Sequence, residues 1–525
     1  MTTPNRCAVC EVPASLKCMA CKQVFYCGKE HQKIHWKKGH KAECKCYEVV
    51  KNDVLGRHLR ASRDIKPGEI ILRESPLIYG PKVACSPLCL GCHRTLPTPV
   101  GNNYYKCSKC GWPMCGTDCE LSEHHVNECQ LMESRKFRAK IDYSVQTGRK
   151  ESAYCVILPL RCLLLKTRKP LDFEKFSELE DHLNERKNTP LYNVLRANLV
   201  TFVKTILALN ESEDEILRVA AILDTNAFEV RQTGESRKVR AIYPMAAMFS
   251  HDCISNARHT FDEKMNIVFI AKTPIAKGEI ICTSYTQPLW SSIMRRTHLS
   301  QAKCFDCTCR RCRDETELNT FAGSITCSHC KVGKVVSTNP MDNNAGWKCQ
   351  LCPHQLSAKQ IHLGNAAIQK EIESLDKSSV KAFEEFLYRY RVTLHEKNTH
   401  ILQVKYALSQ LYGNAPNFSI HELNDAALKR KIELCQELLE IADIFDGGWS
   451  IFRGNLLLDL QEAMVIQAKR EFLCGLLTRD ATQEKLLESM NLLKEAIDIM
   501  KLEPDMKQVL NDRTQQLAKE LEVDE

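Results

Sequence analysis

Apolar positions change their period along the chain. From about residue 361 glycine, proline and cysteine thin out and a helical spacing takes over. Ile432, Cys435, Leu438, Leu439 and Ala442 share one face, and Leu486, Met490, Leu493, Ile497 and Met500 share another that ends near Pro504. Such faces must be covered, so residues 361–525 predict stacked helices, although no clear repeat of about 34 residues is visible. The stack would offer a groove for a peptide or cap the domain before it. Residues 133–225 also read largely as helix. Elsewhere the pattern is that of strands. Residues 55–78 give strand, a Pro67-Gly68 turn and the apolar run Ile70-Ile71-Leu72. Ile267–Ala271, then Pro274 to Glu279, then Ile280-Ile281 repeat the same grammar nearly 200 residues later. Two such hairpins predict one β-rich domain with insertions, within an α+β multidomain chain.

Length and composition narrow the class. At 525 residues several folding units are expected, and 44% hydrophobic with 26% charged residues excludes a wholly disordered, collagenous or coiled-coil chain. The longest apolar run, Ala153–Leu165, falls short of the roughly 20 residues of a membrane span and contains Arg161. With no charged-then-apolar leader before Cys7, an intracellular, soluble protein without a membrane partner is expected. The 29 cysteines then read as metal ligands, because thiols stay reduced there and many lie two residues apart. Charge is polarised: residues 1–47 carry nine Lys or Arg against three acids, and residues 471–525 seven against thirteen. A solvated surface explains this better than nucleic acid, for which no sufficient basic run exists.

Eight candidate ligands fall within the first 44 residues: Cys7, Cys10, Cys18, Cys21, Cys27, His31, His40 and Cys44. They suit two tetrahedral zinc ions. So short a segment builds little core, whereas a structural zinc contributes about 10–16 kcal/mol of apparent binding energy, so metal must organise it. The ligand order, with Phe25-Tyr26-Cys27 and Trp36 before His40, resembles the MYND zinc finger, a protein-interaction module. The resemblance implies one ion on Cys7, Cys10, Cys27 and His31 and another on Cys18, Cys21, His40 and Cys44. His31 stands where that family usually has cysteine. A second finger of this kind follows in Cys89, Cys92, Cys107, Cys110, Cys115, Cys119, His125 and Cys129, with His124 an alternative to His125 and a loop through Pro97, Pro99 and Gly101. Cys327, Cys330, Cys349 and Cys352 look like a zinc ribbon, for bracing or for binding.

The split β-rich unit resembles the SET domain of the SET-and-MYND (SMYD) protein methyltransferases, and the additional N-terminal finger looks like their arthropod branch. Phe249-Ser250-His251-Asp252-Cys253 and Asn256 look like the family's Asn-His-Ser-Cys-x-Pro-Asn cofactor segment, with Ser250 in place of asparagine. Gly56-Arg57-His58 replaces Gly-x-Gly. Both departures would weaken S-adenosylmethionine binding, the first by a lost hydrogen bond of about 1.5–3 kcal/mol. Tyr285 matches the active-site tyrosine, or is an ordinary strand aromatic. Asn226 matches a cofactor contact, or caps a helix. Phe305 would pack on the adenine. Cys307, Cys309 and Cys312 match the post-SET zinc segment, with Cys253 as the implied fourth ligand. Lys303 replaces a tyrosine lining the target-lysine channel, where a cation would repel the substrate ammonium.

The resulting organisation is a finger at 1–46, the first SET part at 47–84, a second finger at 85–132 and a helical insertion at 133–225. The SET core follows at 226–290, post-SET at 291–315, the ribbon at 320–360 and a TPR-like helical domain at 361–525. About six zinc ions would use 21 of the 29 cysteines. The resemblance implies an S-adenosylmethionine-dependent protein-lysine methyltransferase of nucleus and cytoplasm, acting on a protein with a target lysine, histones among the candidates, in transcriptional regulation. Peptide partners of the fingers are also implied. The alternative is a catalytically weak scaffold, suggested by His58, Ser250 and Lys303.

Overall fold

The structure, a computed structural model, describes residues 5–19, 24–40, 45–83, 85–96, 104–140, 153–230 and 239–522. Cys21, Cys44 and the loop of Pro97, Pro99 and Gly101 lie outside the described residues. The first finger pairs β1 (Leu16–Lys17) with β2 (Phe25–Tyr26), followed by the helix α1 (Lys29–His35). Among its described residues the buried hydrophobic cluster is Cys7, Cys18 and Tyr26, too small a core to hold a fold without metal.

The β-rich unit is assembled across the sequence. Strand β3 (Tyr47–Asn52) and β4 (Gly56–Ala61) form an antiparallel pair. The Asn52 side chain accepts from the amides of Val54 and Leu55, at 3.0 and 2.7 Å, and closes the turn. Neither stretch read as a hairpin pairs with itself. β4 instead pairs with β12 (Ile280–Thr283), and β5 (Ile70–Glu74) with β11 (Ile267–Ala271). Ile65 bridges Ile275, so the two Pro-Gly and Lys-Gly turns lie side by side. The sequence has the right strands; the partner of each is the equivalent strand nearly 200 residues away, because two half-buried strands gain more by sealing one shared core than by folding back singly.

β6 (Ile78–Pro81), β7 (Phe228–Val230) and β8 (Val239–Ile242) make a second sheet in the order β6-β8-β7, and β9 (Ser250–His251) runs parallel to β12. β10 (Ala257–Phe261) completes the sheet β10-β11-β5. All five residues of β11 are buried, which explains its unbroken apolar sequence.

Between β6 and β7 lie the second finger and the helices α2 (Val126–Ser134), α3 (Ile157–Arg168) and α4 (Glu213–Asn226). Ser212 caps α4 by accepting from the Glu215 amide. The long apolar run belongs to α3, which is buried nearly all round against the finger and α4. Arg161 within it is no accident of composition. Its guanidinium reaches Glu128 at 2.5 Å and the carbonyls of Tyr79 and Leu90 at 3.0 and 3.1 Å, tying finger, sheet and helix together. Tyr154 adds a second tie, exchanging hydrogen bonds with both backbone groups of Leu88.

After the β-rich unit come α5 (Ser292–Lys303) and a four-stranded ribbon, β13 (Ile325–Thr326) to β16 (Gln355–Leu356). The C-terminal helices stack as the apolar periodicity predicts, led by α6 (Asp425–Phe445), α7 (Ile451–Leu473) and α8 (Arg479–Met500). They are locked to the β-rich unit by Arg258, which donates to the Ile499 and Trp449 carbonyls at 2.6 Å and pairs with Glu503, and by the Lys272–Asp446 pair. Gly68 holds a positive φ of 79° with the Trp449 ring directly over it.

Candidate functional site

Five clusters of four thiol or imidazole atoms, each within 4.8 Å of one another, stand among the described residues. Soft thiolates with an occasional imidazole in closed sets of four are the donor chemistry of structural zinc. Cys7, Cys10, Cys27 and His31 form the first, with His31 Nδ1 at 3.0 Å from Cys27 Sγ. Of the other implied set in this finger, Cys18 and His40 are buried, while Cys21 and Cys44 are outside the described residues. The second finger interleaves its pairs: Cys89 and Cys92 with Cys115 and Cys119, and Cys107 and Cys110 with His125 and Cys129. His125, not His124, points into the cluster; His124 takes a hydrogen bond with the Tyr79 hydroxyl at 2.9 Å. Behind His125 stands Glu128 at 3.8 Å, itself gripped by Arg161. Burial opposes ionisation of Glu128, but Arg161 overrides it and holds the carboxyl below its ordinary range. The ribbon gathers Cys327, Cys330, Cys349 and Cys352.

The remaining cluster, Cys253, Cys307, Cys309 and Cys312, joins the loop after β9 to the segment after α5. Sequence reading misses its support. Arg295, wholly buried on α5, donates Nε to Cys253 Sγ at 3.2 Å and approaches Cys312 Sγ at 3.7 Å. Glu317 bridges Arg295 and Arg311 at 2.9 and 3.0 Å, and Arg311 lies 3.3 Å above the Phe445 ring of α6. Four thiolates on a divalent zinc carry two net negative charges, which a buried arginine offsets. Only an arginine on the apolar face of α5 hinted at this.

Beside this cluster opens a cavity of about 1570 Å³ bounded by the SET strands, post-SET and the C-terminal helices. Gly56, Arg57, Asn226, Ser250, His251, Tyr285 and Phe305 all line it. Tyr285 follows β12, and its hydroxyl donates to the Phe249 carbonyl at 2.5 Å while its amide donates to His251 Nδ1 at 3.0 Å. With Nδ1 accepting, His251 Nε2 carries the hydrogen and faces Cys253 Sγ at 3.3 Å. Burial pushes His251 down to about 4, so it is a neutral strut between the tyrosine and the metal cluster. Its ring lies 5.2 Å from Tyr285 and 5.9 Å from Phe305.

Asn226 serves both readings. Its amide nitrogen donates to the carbonyls of Glu180 and Ile222, at 2.7 and 2.8 Å, tying off the end of α4, and the residue still lines the cavity. Arg57 points at Glu178, pairing with its carboxylate at 3.2 Å. His58 does not line the cavity. It is buried beside Leu59, its Nδ1 meets the Gly56 carbonyl at 3.0 Å, and its φ is ordinary; the left-handed turn is taken by Gly56 at φ 62°. The expectation that His58 obstructs cofactor is therefore corrected. Lys303, at the end of α5, donates Nζ to the Thr225 carbonyl at 2.6 Å and hangs 5.6 Å from the Tyr285 ring centroid. Burial first, then Arg186, pushes its ammonium down to about 8.

Residues 7–44 match the MYND finger family and residues 56–286 the SET domain family, whose span encloses the second finger. The chain is 28% identical over 342 residues to the SET domain-containing protein SmydA-8, isoform A, of Drosophila melanogaster, covering 62% of this chain and 70% of that protein. It is 27% identical over 334 residues to the histone-lysine N-methyltransferase ASHR1 of Arabidopsis thaliana, covering 59% and 64%. To the human histone-lysine N-methyltransferase SMYD3 it is 25% identical over 278 residues, covering 50% and 60%.

Proposed function

Because the chain belongs to the SET-and-MYND proteins, we propose that it is an S-adenosylmethionine-dependent protein-lysine N-methyltransferase. One observation carries the reading: Tyr285, His251, Phe305, Asn226 and Gly56, distant in sequence, line one cavity whose wall is stapled by a four-thiol cluster. The residues fit the cofactor. Phe305, 36% exposed, offers a flat apolar face for a base, and the Asn226 carbonyl oxygen remains an acceptor after its nitrogen is spent. When bound, S-adenosylmethionine supplies a sulfonium methyl for direct displacement by a lysine amine.

The protein's part is to orient and dry the amine. The Tyr285 hydroxyl is pinned by Phe249, whose ring stacks 3.6 Å from that of Phe269, so the tyrosine holds one pose. A lysine with a reference pKa near 10.4 pays about 4–5 kcal/mol to lose its proton at pH 7. Lys303, which lines the same cavity, is pushed down to about 8 by its burial and by Arg186, and such surroundings would disfavour an incoming ammonium in the same way.

Histone tails are the substrate class proposed, on the names of two relatives and on Asp505, a carboxylate lining the cavity that suits a basic peptide. Action in nucleus and cytoplasm, a role in transcription and membership of the arthropod branch are proposed on the same footing, the last on the Drosophila relative. The first finger is proposed to capture peptides, since its helix α1 buries no residue and remains open. The scaffold reading is favoured by the Lys303 ammonium over Tyr285.

Calorimetry of zinc-loaded protein with S-adenosylmethionine tests the reading, together with Tyr285→Phe on a histone-tail peptide array. Binding, with methylation lost in the variant at unchanged zinc content, is expected. Unchanged turnover defeats the role of Tyr285, and absence of binding leaves the scaffold. Partner capture by the finger should survive Tyr285→Phe and fail in Cys18→Ser.

A further inference from the structure

The cavity already contains an amine. Lys303 reaches in from the last turn of α5, its Nζ fixed by the Thr225 carbonyl at 2.6 Å and facing the Tyr285 ring. A second cation brought against the Tyr285 ring in the same cavity meets this ammonium at close range. The charges around Lys303 do not shelter it. Arg186 comes from the helix Leu183–Arg186 and Arg240 from β8, both cationic. Asp224 on α4 is the facing carboxylate, but it is engaged by Arg240 at 3.2 Å and by the Tyr192 hydroxyl at 3.3 Å. His298 on the same helix is itself pushed down by burial and then by Lys303, and the remaining neighbour is the Cys304 thiol.

We propose that Lys303 is a charge gate on this cavity: its ammonium opposes any cationic occupant, and its neutral amine admits one. The inference rests on the methyltransferase reading, because the cations concerned are the sulfonium of S-adenosylmethionine and the ammonium of a target lysine. Two like charges a few ångströms apart in an effective dielectric near 20 repel by several kcal/mol, enough to make the neutral form the binding form. With Lys303 down to about 8, the ammonium dominates at pH 7 and the free amine at pH 9.

Affinities for S-adenosylmethionine and S-adenosylhomocysteine isolate this effect without turnover, since the two ligands differ only by the methyl and its positive charge. The sulfonium lowers the amino group of S-adenosylmethionine relative to that of S-adenosylhomocysteine, so the ratio of affinities in the native protein is read against the same ratio in Lys303→Met, where the ligands titrate identically and the gate is absent. In zinc-loaded full-length protein the native ratio should move toward S-adenosylmethionine by up to about tenfold between pH 7 and 9 relative to that of Lys303→Met, the change in neutral fraction for a group titrating near 8. Lys303→Met should itself raise the ratio at pH 7. Lys303→Arg, charged throughout, should keep it low at pH 9. The same pH dependence of the ratio in the native protein and in Lys303→Met, with both ligands binding, overturns the gate alone. No heat with either ligand in folded, zinc-loaded protein removes the methyltransferase reading and the gate with it. As a direct readout, the pH dependence of Lys303 acetylation by acetic anhydride, followed by peptide mass spectrometry, should show a midpoint near 8; a midpoint like that of exposed lysines also overturns the gate.

Discussion

Arg295→Gln is expected to loosen one zinc ion out of the set. Arg295 is completely buried, with Nε 3.2 Å from Cys253 Sγ and Nη1 2.9 Å from Glu317. Glutamine removes the positive charge facing the thiolates and one of the two partners of a buried carboxylate. Breaking a buried ion pair costs about 3–5 kcal/mol, and the lower end applies because Arg311 still holds Glu317 at 3.0 Å. Loss of such an outer partner lowers metal affinity by roughly 10–100-fold. The assay is zinc release to a chromogenic chelator, counted per chain, alongside thermal melting. One zinc should leave with the affinity lost, and the melting temperature should fall. Native zinc release and stability in the single variant would refute the claim that this arginine balances the cluster.

Other consequences are equally direct. Gly68→Ala must move the Trp449 ring, 2.3 Å from the added carbon, and strains a left-handed backbone at φ 79°; a loss of about 2 kcal/mol or more is expected by denaturant melting, whereas Gly28→Ala, with open space around it, should cost a few tenths. Chelator titration should strip the cluster of Cys7, Cys10, Cys27 and His31, two of whose ligands are exposed, before that of Cys107, Cys110, His125 and Cys129, all buried; the reverse order in single-cluster cysteine variants would count against burial as the control. Burial pushes His400 down to about 4 from an ordinary 6.5, so the unfolded chain binds a proton that the folded chain refuses between those values. Stability should therefore be unaffected by this group above pH 6.5 and fall as pH drops toward 4, by up to about 3 kcal/mol, and His400→Gln should flatten that slope in chemical denaturation.

What the sequence by itself determined is the chemistry that is local in the chain. Paired cysteines two residues apart place two thiols on one knuckle whatever lies around them, so the ribbon, the fingers and the post-SET trio are legible from spacing. The strands around the turns at Gly68 and Gly278, and the apolar faces of α6 and α8, follow likewise from period and turn chemistry.

Tertiary structure decided what depends on partners far away. Strand identity does not choose a partner, and β4 with β12 and β5 with β11 pair across nearly 200 residues because both must seal one core. Only the packed fold shows that His58 is buried off the cavity while Gly56 and Arg57 line it. Which imidazole of His124 and His125, both just ahead of α2, enters the second finger is fixed by the Tyr79 hydroxyl that holds His124 and by Glu128 behind His125. The arginines show the limit most sharply. Arg161 lies in an apolar run, Arg295 in a mixed helix and Arg311 in a charged stretch between cysteines, and only the carboxylates that burial brings beside them, Glu128 and Glu317, make them parts of metal sites. Lys303 belongs with them: a side chain's charge is set by the solvent and neighbours it meets, and those are properties of the folded cavity rather than of the chain.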